Sequence, residues 1–116
     1  QEIYQINKEI YHIVDKMKFM KNSEFISQVT ILHHKITAVH PFFDGNGRVA
    51  RALVNWLFYM KGLYPIYIKV TKKDEYLSAL EKSDKENNFN DLIELFINEI
   101  IESDILLNDR ELRINS

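Results

Sequence analysis

The chain has 116 residues, a formal net charge of −2 and no cysteine. Its length supports a single domain, and the lack of cysteine excludes disulfides and thiolate metal sites. Its lysines and arginines form no basic stripe, and no apolar run reaches the roughly 18 to 20 residues of a membrane span, so neither nucleic acid nor membrane is expected as a partner. A cytoplasmic protein is expected; secretion into a host cell as part of a larger effector is the second possibility.

The first half of the chain predicts three helices. Three glycines and two prolines leave few places for sharp turns. Apolar residues recur at steps of three and four, the spacing of one helical face, in segments 3–17, 25–39 and 49–58. Pro41 is expected to end the second helix, and Gly62 with Pro65 the third.

The second half predicts two more helices after an extended connection at 64–70. A short helix is expected at about 72–82, and Asn90 is the expected cap of a last helix that carries apolar residues as far as Ile101. No segment predicts a hairpin-rich sheet. The expected fold class is therefore all-α: a compact helical bundle in one domain, residues 1–116.

Two of the three glycines lie in the segment from His40 to Arg51, which reads HPFFDGNGRVAR. Asp-Gly followed by Asn-Gly ordinarily predicts a hairpin turn. The residues after Gly47 have helical spacing instead, so the segment is interpreted as a loop that feeds the N-terminus of a central helix. Such a terminus presents unpaired N–H groups and the positive end of the helix dipole, and phosphate is the anion most often bound there.

The side chains of this segment fit a nucleotide site. Arg48, Arg51 and Asn55 fall on one arc of the helix, opposite its apolar face, and two guanidinium groups there can clamp the outer phosphates of a triphosphate. Asp44 is placed to hold a divalent cation, since Mg²⁺ commonly uses one carboxylate plus phosphate oxygens. His40, near a helix N-terminus that disfavours its protonation, can act as a general base.

Each of these residues also has a structural explanation. Asp44 can cap the helix, and Arg48 and Arg51 can be solvated surface arginines. A histidine before a proline is more often structural than catalytic. The combination favours transfer chemistry, because a base, a metal ligand, an anion nest and two arginines follow in order within twelve residues.

The segment His40 to Arg51 resembles the signature of the Fic family, His-x-Phe-x-Asp/Glu-Gly-Asn-Gly-Arg-x-x-Arg, at every specified position. The likeness extends to His33, seven residues upstream of His40, and to the segments 64–66, 76–80 and 90–96, over roughly residues 1 to 105. The resemblance implies a Fic-type helical bundle.

The resemblance also implies that AMP is transferred from ATP to a Ser, Thr or Tyr hydroxyl of a target protein, with release of pyrophosphate. His40 would take the hydroxyl proton, and Asp44 would hold Mg²⁺. Phosphate binding would fall to Gly45, Asn46, Gly47, Arg48 and Arg51, with Arg51 reaching the γ-phosphate.

Two family features are not found in this sequence. Many relatives carry an inhibitory helix with the pattern Ser/Thr-x-x-x-Glu-Gly/Asn; Thr71 to Glu75 fits the first five positions, but Tyr76 follows. Inhibition is then expected from a missing N-terminal part or a separate antitoxin-like partner, or is absent. The family's β-hairpin flap is expected upstream of Ile3, so the chain is interpreted as a fragment lacking the N-terminal flap region.

Other functions stay open at this stage. A related enzyme could transfer phosphate, UMP or GMP, although phosphate-transferring relatives depart at the glycines and often lose the final arginine, which this chain keeps as Arg51. A catalytically inactive regulatory or binding domain is the alternative from another class.

Overall fold

The computed structural model describes residues 2–39 and 46–115, with side chains described for 4–38 and 47–104. Within these ranges there is no strand, and the all-helical prediction is confirmed. Two short 3-10 helices, Met17–Phe19 and Val70–Lys72, accompany five α-helices. In chain order these are α1 Glu2–Lys16, α2 Asn22–Val39, α3 Asn46–Lys61, α4 Lys73–Glu86 and α5 Asn90–Asn115.

Helix ends follow local chemistry. Gly62 ends α3 with a φ of 84°, a left-handed conformation that glycine adopts without a Cβ penalty, as predicted. Asn87 ends α4 in the same region with a φ of 52°. The prediction that Asn90 caps the last helix is wrong: Asn90 is the first residue of α5, and its N–H donates to Asn88 Oδ1 at 3.1 Å. Asn88 can do this because an asparagine side chain readily accepts from the backbone two residues on.

The helix with the most neighbours is α2, which packs against α1, α3, α4 and α5. Its fully buried apolar residues, Phe25, Val29 and Leu32, meet a buried layer contributed by the other helices. That layer consists chiefly of Ile6, Ile13, Ala50, Val54, Leu57, Phe58, Ala79, Leu92, Leu95, Phe96 and Ile100. The core therefore surrounds α2, and α3 packs along one side of α2.

Polar side chains fix α3 at two further points. Asn55 forms a pair of hydrogen bonds with the backbone of Ile66, from Nδ2 to the carbonyl at 3.2 Å and from the Ile66 N–H to Oδ1 at 2.8 Å. Lys61, at the end of the helix, donates from Nζ to the carbonyls of Met17 and Met20. The extended connection after α3 and the turn between α1 and α2 are thereby tied to the same helix.

The other end of that connection is held by charge. Lys72 lies 3.3 Å from Glu99 Oε1 and 3.2 Å from Glu102 Oε1, and Lys69 lies 2.7 Å from Glu102 Oε2. Glu99 is almost fully buried on α5, so Lys72 supplies the cation that such a carboxylate requires. Glu102 raises the pKa of Lys72 through a hydrogen bond, and Glu99 adds to this shift.

None of the helices in the described part of the chain combines the length and the apolar character needed to cross a membrane.

Candidate active site

The candidate site starts at the N-terminus of α3. This helix begins at Asn46, directly after Gly45, so the prediction of a loop feeding a helix is confirmed for its helical half and the hairpin alternative is wrong. The first turn of α3 carries no acidic residue, which leaves its positive end without a carboxylate from its own helix. Of the predicted site residues, His40, Asp44 and Gly45 lie outside the described residues, as does the side chain of Asn46.

Gly47 and Arg51 lie one helical turn apart on α3, and the Arg51 side chain lies close to Gly47. A Cβ added at Gly47 would stand 3.1 Å from Arg51 Nη1 and 3.9 Å from Cζ. The Arg51 side chain therefore turns back toward the N-terminus of α3 and lies across the glycine. Gly47 does not have a positive φ. Its lack of a side chain, rather than its backbone freedom, therefore makes room for the Arg51 guanidinium.

Tyr76 on α4 is buried, with 8% of its surface exposed. Burial raises the pKa of the Tyr76 hydroxyl, while the positive charge of Arg51 acts in the opposite direction. Sequence reasoning did not single out Tyr76, although Tyr76, Ala79 and Ser83 recur at a spacing that indicates a buried face.

His33 on α2 completes the group. Its imidazole is fully buried, and Nε2 lies 2.7 Å from the Tyr76 hydroxyl. The ring packs against Phe96, with centroids 5.3 Å apart. Burial lowers the pKa of His33 to about 4, helped by the positive charges of Arg51 and His34. The imidazole is therefore neutral near pH 7. His33, which the sequence offered only as part of a family likeness, is thereby joined to Tyr76 on α4.

The three residues predicted to share one arc of α3 differ in burial and in partners. Arg48 is exposed and Arg51 is half-buried on the Tyr76 side. Asn55 is engaged with the backbone of Ile66 through both of its side-chain atoms. Asn55 therefore has a structural role, and the two arginines remain as the candidate phosphate ligands.

The segment compared with an inhibitory motif does not reach the arginine through its glutamate. Glu75 is exposed at the start of α4, whereas the next residue, Tyr76, is buried and contacts His33. Among the described residues, Arg51 forms no ion pair with a carboxylate.

A metal ligand set was predicted only through Asp44. Within the residues that the structure describes, no three histidine, aspartate or glutamate side chains converge as a metal site would require. Asp44 itself falls in the segment outside that description, so its assignment remains a prediction.

The chain is similar to parts of several known proteins. Protein adenylyltransferase fic-1 of Caenorhabditis elegans is 42% identical over 55 residues, which cover 47% of this chain and 11% of that protein. The protein adenylyltransferase Fic of Drosophila erecta is 36% identical over 66 residues, covering 52% and 13%. A probable protein adenylyltransferase of Aquifex aeolicus is 30% identical over 82 residues, covering 71% and 25%. The chain thus spans a quarter or less of the length of these relatives.

No solved structure matches the chain at a significant level. The family model of the Fic/DOC family matches residues 1–58, half of the chain, and includes the whole segment from His40 to Arg51. Together with the helical fold and an α3 that begins inside this segment, the match shows that the chain belongs to the Fic/DOC family.

Proposed function

We propose that this domain transfers AMP from ATP to a hydroxyl side chain of a target protein. The observation that carries the proposal is the position of Arg51, whose guanidinium lies across Gly47 at the N-terminus of the helix that follows the motif. A cation beside unpaired helix N–H groups is an arrangement that binds phosphate. The relatives named protein adenylyltransferases support AMP as the transferred group.

In the proposed reaction, the target hydroxyl attacks the α-phosphorus of ATP. A bond forms between the hydroxyl oxygen and the α-phosphorus, and the bond from that phosphorus to the oxygen bridging the α- and β-phosphates breaks. His40 takes the hydroxyl proton, and pyrophosphate leaves with the bridging oxygen. The group that is transferred is AMP because the γ-phosphate is held away from the nucleophile.

Arg51 is assigned to the γ-phosphate, and Arg48 helps to neutralise the phosphate chain. The glycines at 45 and 47 and the backbone of Asn46 are assigned to the anion hole. The positive charge of Arg51 is available for a phosphate, since no carboxylate of the described residues forms an ion pair with it. His40, Asp44 and Gly45 lie outside the described residues, so the roles assigned to them are proposals.

Mg²⁺ is the proposed metal, with Asp44 as its protein ligand. A single carboxylate combined with phosphate oxygens is the donor set that Mg²⁺ prefers in nucleotide sites. When bound, the ion would neutralise charge on the phosphates and make pyrophosphate a better leaving group.

We further propose that any inhibitory glutamate acting on this domain comes from outside the described residues. An antitoxin-like partner would be one source of it. Among the described residues no glutamate forms an ion pair with Arg51, and Glu75 is exposed. The chain on its own should then bind ATP without an activating substitution. ATP binding that appears only after a glutamate of this chain is replaced would contradict this.

The test of the proposed function uses ATP labelled at either the α- or the γ-phosphate. Label is expected on protein from the α position alone, because pyrophosphate carries the γ-phosphate away. Label that arrives from the γ position would show phosphate transfer instead. Parallel reactions with α-labelled GTP and UTP decide whether AMP or another nucleotide is transferred.

A matched pair of variants ties the reaction to the motif. His40→Ala should abolish labelling from the α position, because the hydroxyl loses its base. His12→Ala removes an exposed histidine from α1 and should label as the unmodified chain does. Equal labelling by both variants would reject the assignment of His40.

A further inference from the structure

We propose that the outer surface of α3, together with the adjoining surface of α1, binds a second copy of this chain. This surface is called the α1/α3 face, and its exposed or partly exposed residues are Asn7, Ile10, Tyr11 and Val14 on α1 and Val49, Ala52, Leu53, Trp56, Tyr59 and Met60 on α3. The inference concerns assembly and does not depend on the proposed function.

The composition of α3 is that of a helix covered on every side. No charged residue lies between Arg51 and Lys61. Asn55, the amide in that stretch, is already used by the backbone of Ile66. A helix that is apolar all round is normally buried, yet only one side of α3 packs against α2 and the other side is exposed.

Helix α4 shows how a solvated helix of the same chain differs. Its exposed positions are mostly charged and include Lys73, Asp74, Glu75, Glu81 and Lys85. The exposed positions of α3 after its first turn carry no charge. A continuous apolar surface of this kind indicates an interaction site rather than a surface built for water.

The two helices contribute to one continuous surface. At about 100° per residue, Val49, Trp56 and Met60 fall on a narrow arc of α3. Trp56 lies beside α1, where it lines a groove of about 360 Å³ together with Ile10 and Tyr11. Because Val49 directly follows Arg48 in the chain, an occupant of the face would also border the candidate site.

The exposed area is large enough for a dimer. Tyr11, Trp56 and Tyr59 are 77%, 48% and 79% exposed. At roughly 150–250 Å² per aromatic side chain, these three expose roughly 400 Å². Val49 and Met60, at 40% and 41%, extend this area toward the roughly 800 Å² that each partner contributes to a stable interface. Aromatic residues and methionine are also the types enriched at interface cores, where charged residues are depleted.

Helices α1 and α3 run in the same direction across the face. Lys61, at the end of α3, donates to the carbonyl of Met17, directly after α1. Trp56, earlier in α3, lies beside Tyr11, earlier in α1. A two-fold axis that crosses both helices would therefore place each helix antiparallel to its own copy.

The charges at the edge of the face fit this antiparallel arrangement. Exposed Lys8 precedes Tyr11 by three residues, and exposed Asp15 follows it by four. When two copies of α1 meet antiparallel about Tyr11, each Lys8 lies toward the Asp15 of the other copy. The centre of the face is uncharged, so no like charges are brought together there. A second copy thus matches both the apolar centre and the charged edge.

The experiment is sedimentation equilibrium of the full chain from roughly 1 to 100 µM, since interfaces of this size begin at micromolar affinity. A monomer–dimer equilibrium within this range is expected. Trp56 is the only tryptophan of the chain, so its fluorescence reports directly on the proposed face. Its emission should shift to shorter wavelength as the dimer forms, because the indole leaves water.

Two sets of variants locate the interface. Tyr59→Lys should weaken dimerisation by about tenfold or more, because it puts a charge into the apolar centre. Tyr59 is 79% exposed, so the variant should stay folded, which thermal unfolding checks. Leu77→Lys, at a half-exposed position on α4, is the control and should dimerise as the unmodified chain does. Lys8→Asp should weaken the dimer severalfold, and adding Asp15→Lys should restore it.

A chain that stays monomeric over the whole concentration range overturns the inference. In that case, a shift of the Trp56 emission on adding phosphatidylcholine vesicles would assign the face to a lipid surface instead. A dimer that tolerates Tyr59→Lys, or that forms without a change in Trp56 emission, uses another surface and also overturns it. Failure of Asp15→Lys to restore the Lys8→Asp dimer rejects the antiparallel arrangement.

Discussion

The guanidinium of Arg51 lies across Gly47, with Nη1 3.1 Å from the position that a Cβ on this glycine would occupy. The absence of a side chain at residue 47 therefore has a steric consequence for an arginine one turn later. A methyl group there would displace the guanidinium by a few tenths of an ångström. Because Gly47 lies in α3 without a positive φ, the backbone itself would accept alanine.

Gly47→Ala should raise stability and impair the site together. Alanine is favoured over glycine in a helix by up to about 1 kcal/mol, so the free energy of unfolding should increase or stay level. The displaced guanidinium should at the same time lower the preference for ATP over ADP. Urea unfolding and nucleotide calorimetry on the same variant measure the two effects.

Gly62→Ala is the matched control for this prediction. No atom lies within 4 Å of the added Cβ, but the φ of 84° is unfavourable for alanine, so a loss of about 1 kcal/mol or more is expected from the backbone alone. ATP preference should be unchanged. If Gly47→Ala is the less stable of the two variants, or keeps the full ATP preference, the steric account of Gly47 is wrong.

Asn55→Ala should lower stability without affecting nucleotide binding. It removes both hydrogen bonds to Ile66 and leaves a half-buried N–H and carbonyl unpaired, which costs about 1–3 kcal/mol. Thermal unfolding measures the loss, and ATP affinity below the unfolding temperature should match that of the unmodified chain. Asn98→Ala, at an exposed position on α5, controls for the loss of an amide. Weaker ATP binding with unchanged stability would instead indicate that Asn55 binds phosphate together with the two arginines.

His33 should make the domain sensitive to acid. Its pKa falls from 6.5 in the unfolded chain to about 4 in the folded one, so between these values the unfolded chain binds a proton that the folded chain excludes. The free energy of unfolding contributed by this group is therefore fully present above pH 6.5 and is lost as the pH falls toward 4. The total is about 3 kcal/mol.

Urea unfolding at a series of pH values between 4 and 7 tests this prediction. His33→Gln should show a flatter dependence than the unmodified chain, because it removes the buried titrating group. His12→Gln, at the surface of α1, is the control. Parallel curves for the unmodified chain and His33→Gln would contradict the assignment of the acid sensitivity to His33.

The helical elements could be predicted because their signal is local. Spacing of apolar residues predicted four of the five helices, a short helix was expected at about 72–82, and Gly62 marked the end of α3. Within those helices, a step of one residue turns a side chain by about 100°, and for this reason Val49 is exposed while its neighbour Ala50 is buried. Apolar character alone did not reveal that difference.

Tertiary partners were harder to predict. The burial of Glu99 depends on Lys72, which comes from the preceding connection, and a charged residue on an apolar face is not expected to be buried without such a cation. The hydrogen bond between Tyr76 and His33 likewise depends on how α4 packs against α2. No spacing along the chain encodes that packing.

The two polar attachments of α3 have a consequence for how quickly the site can adjust. Sliding or turning this helix would break the Asn55 pair with Ile66 and the Lys61 contacts with the turn between α1 and α2. Movements of whole helices take microseconds to milliseconds, whereas rotation about side-chain bonds takes picoseconds to nanoseconds. Arg51 therefore adapts to an incoming phosphate by rotation of its own side chain rather than by rearrangement of the bundle.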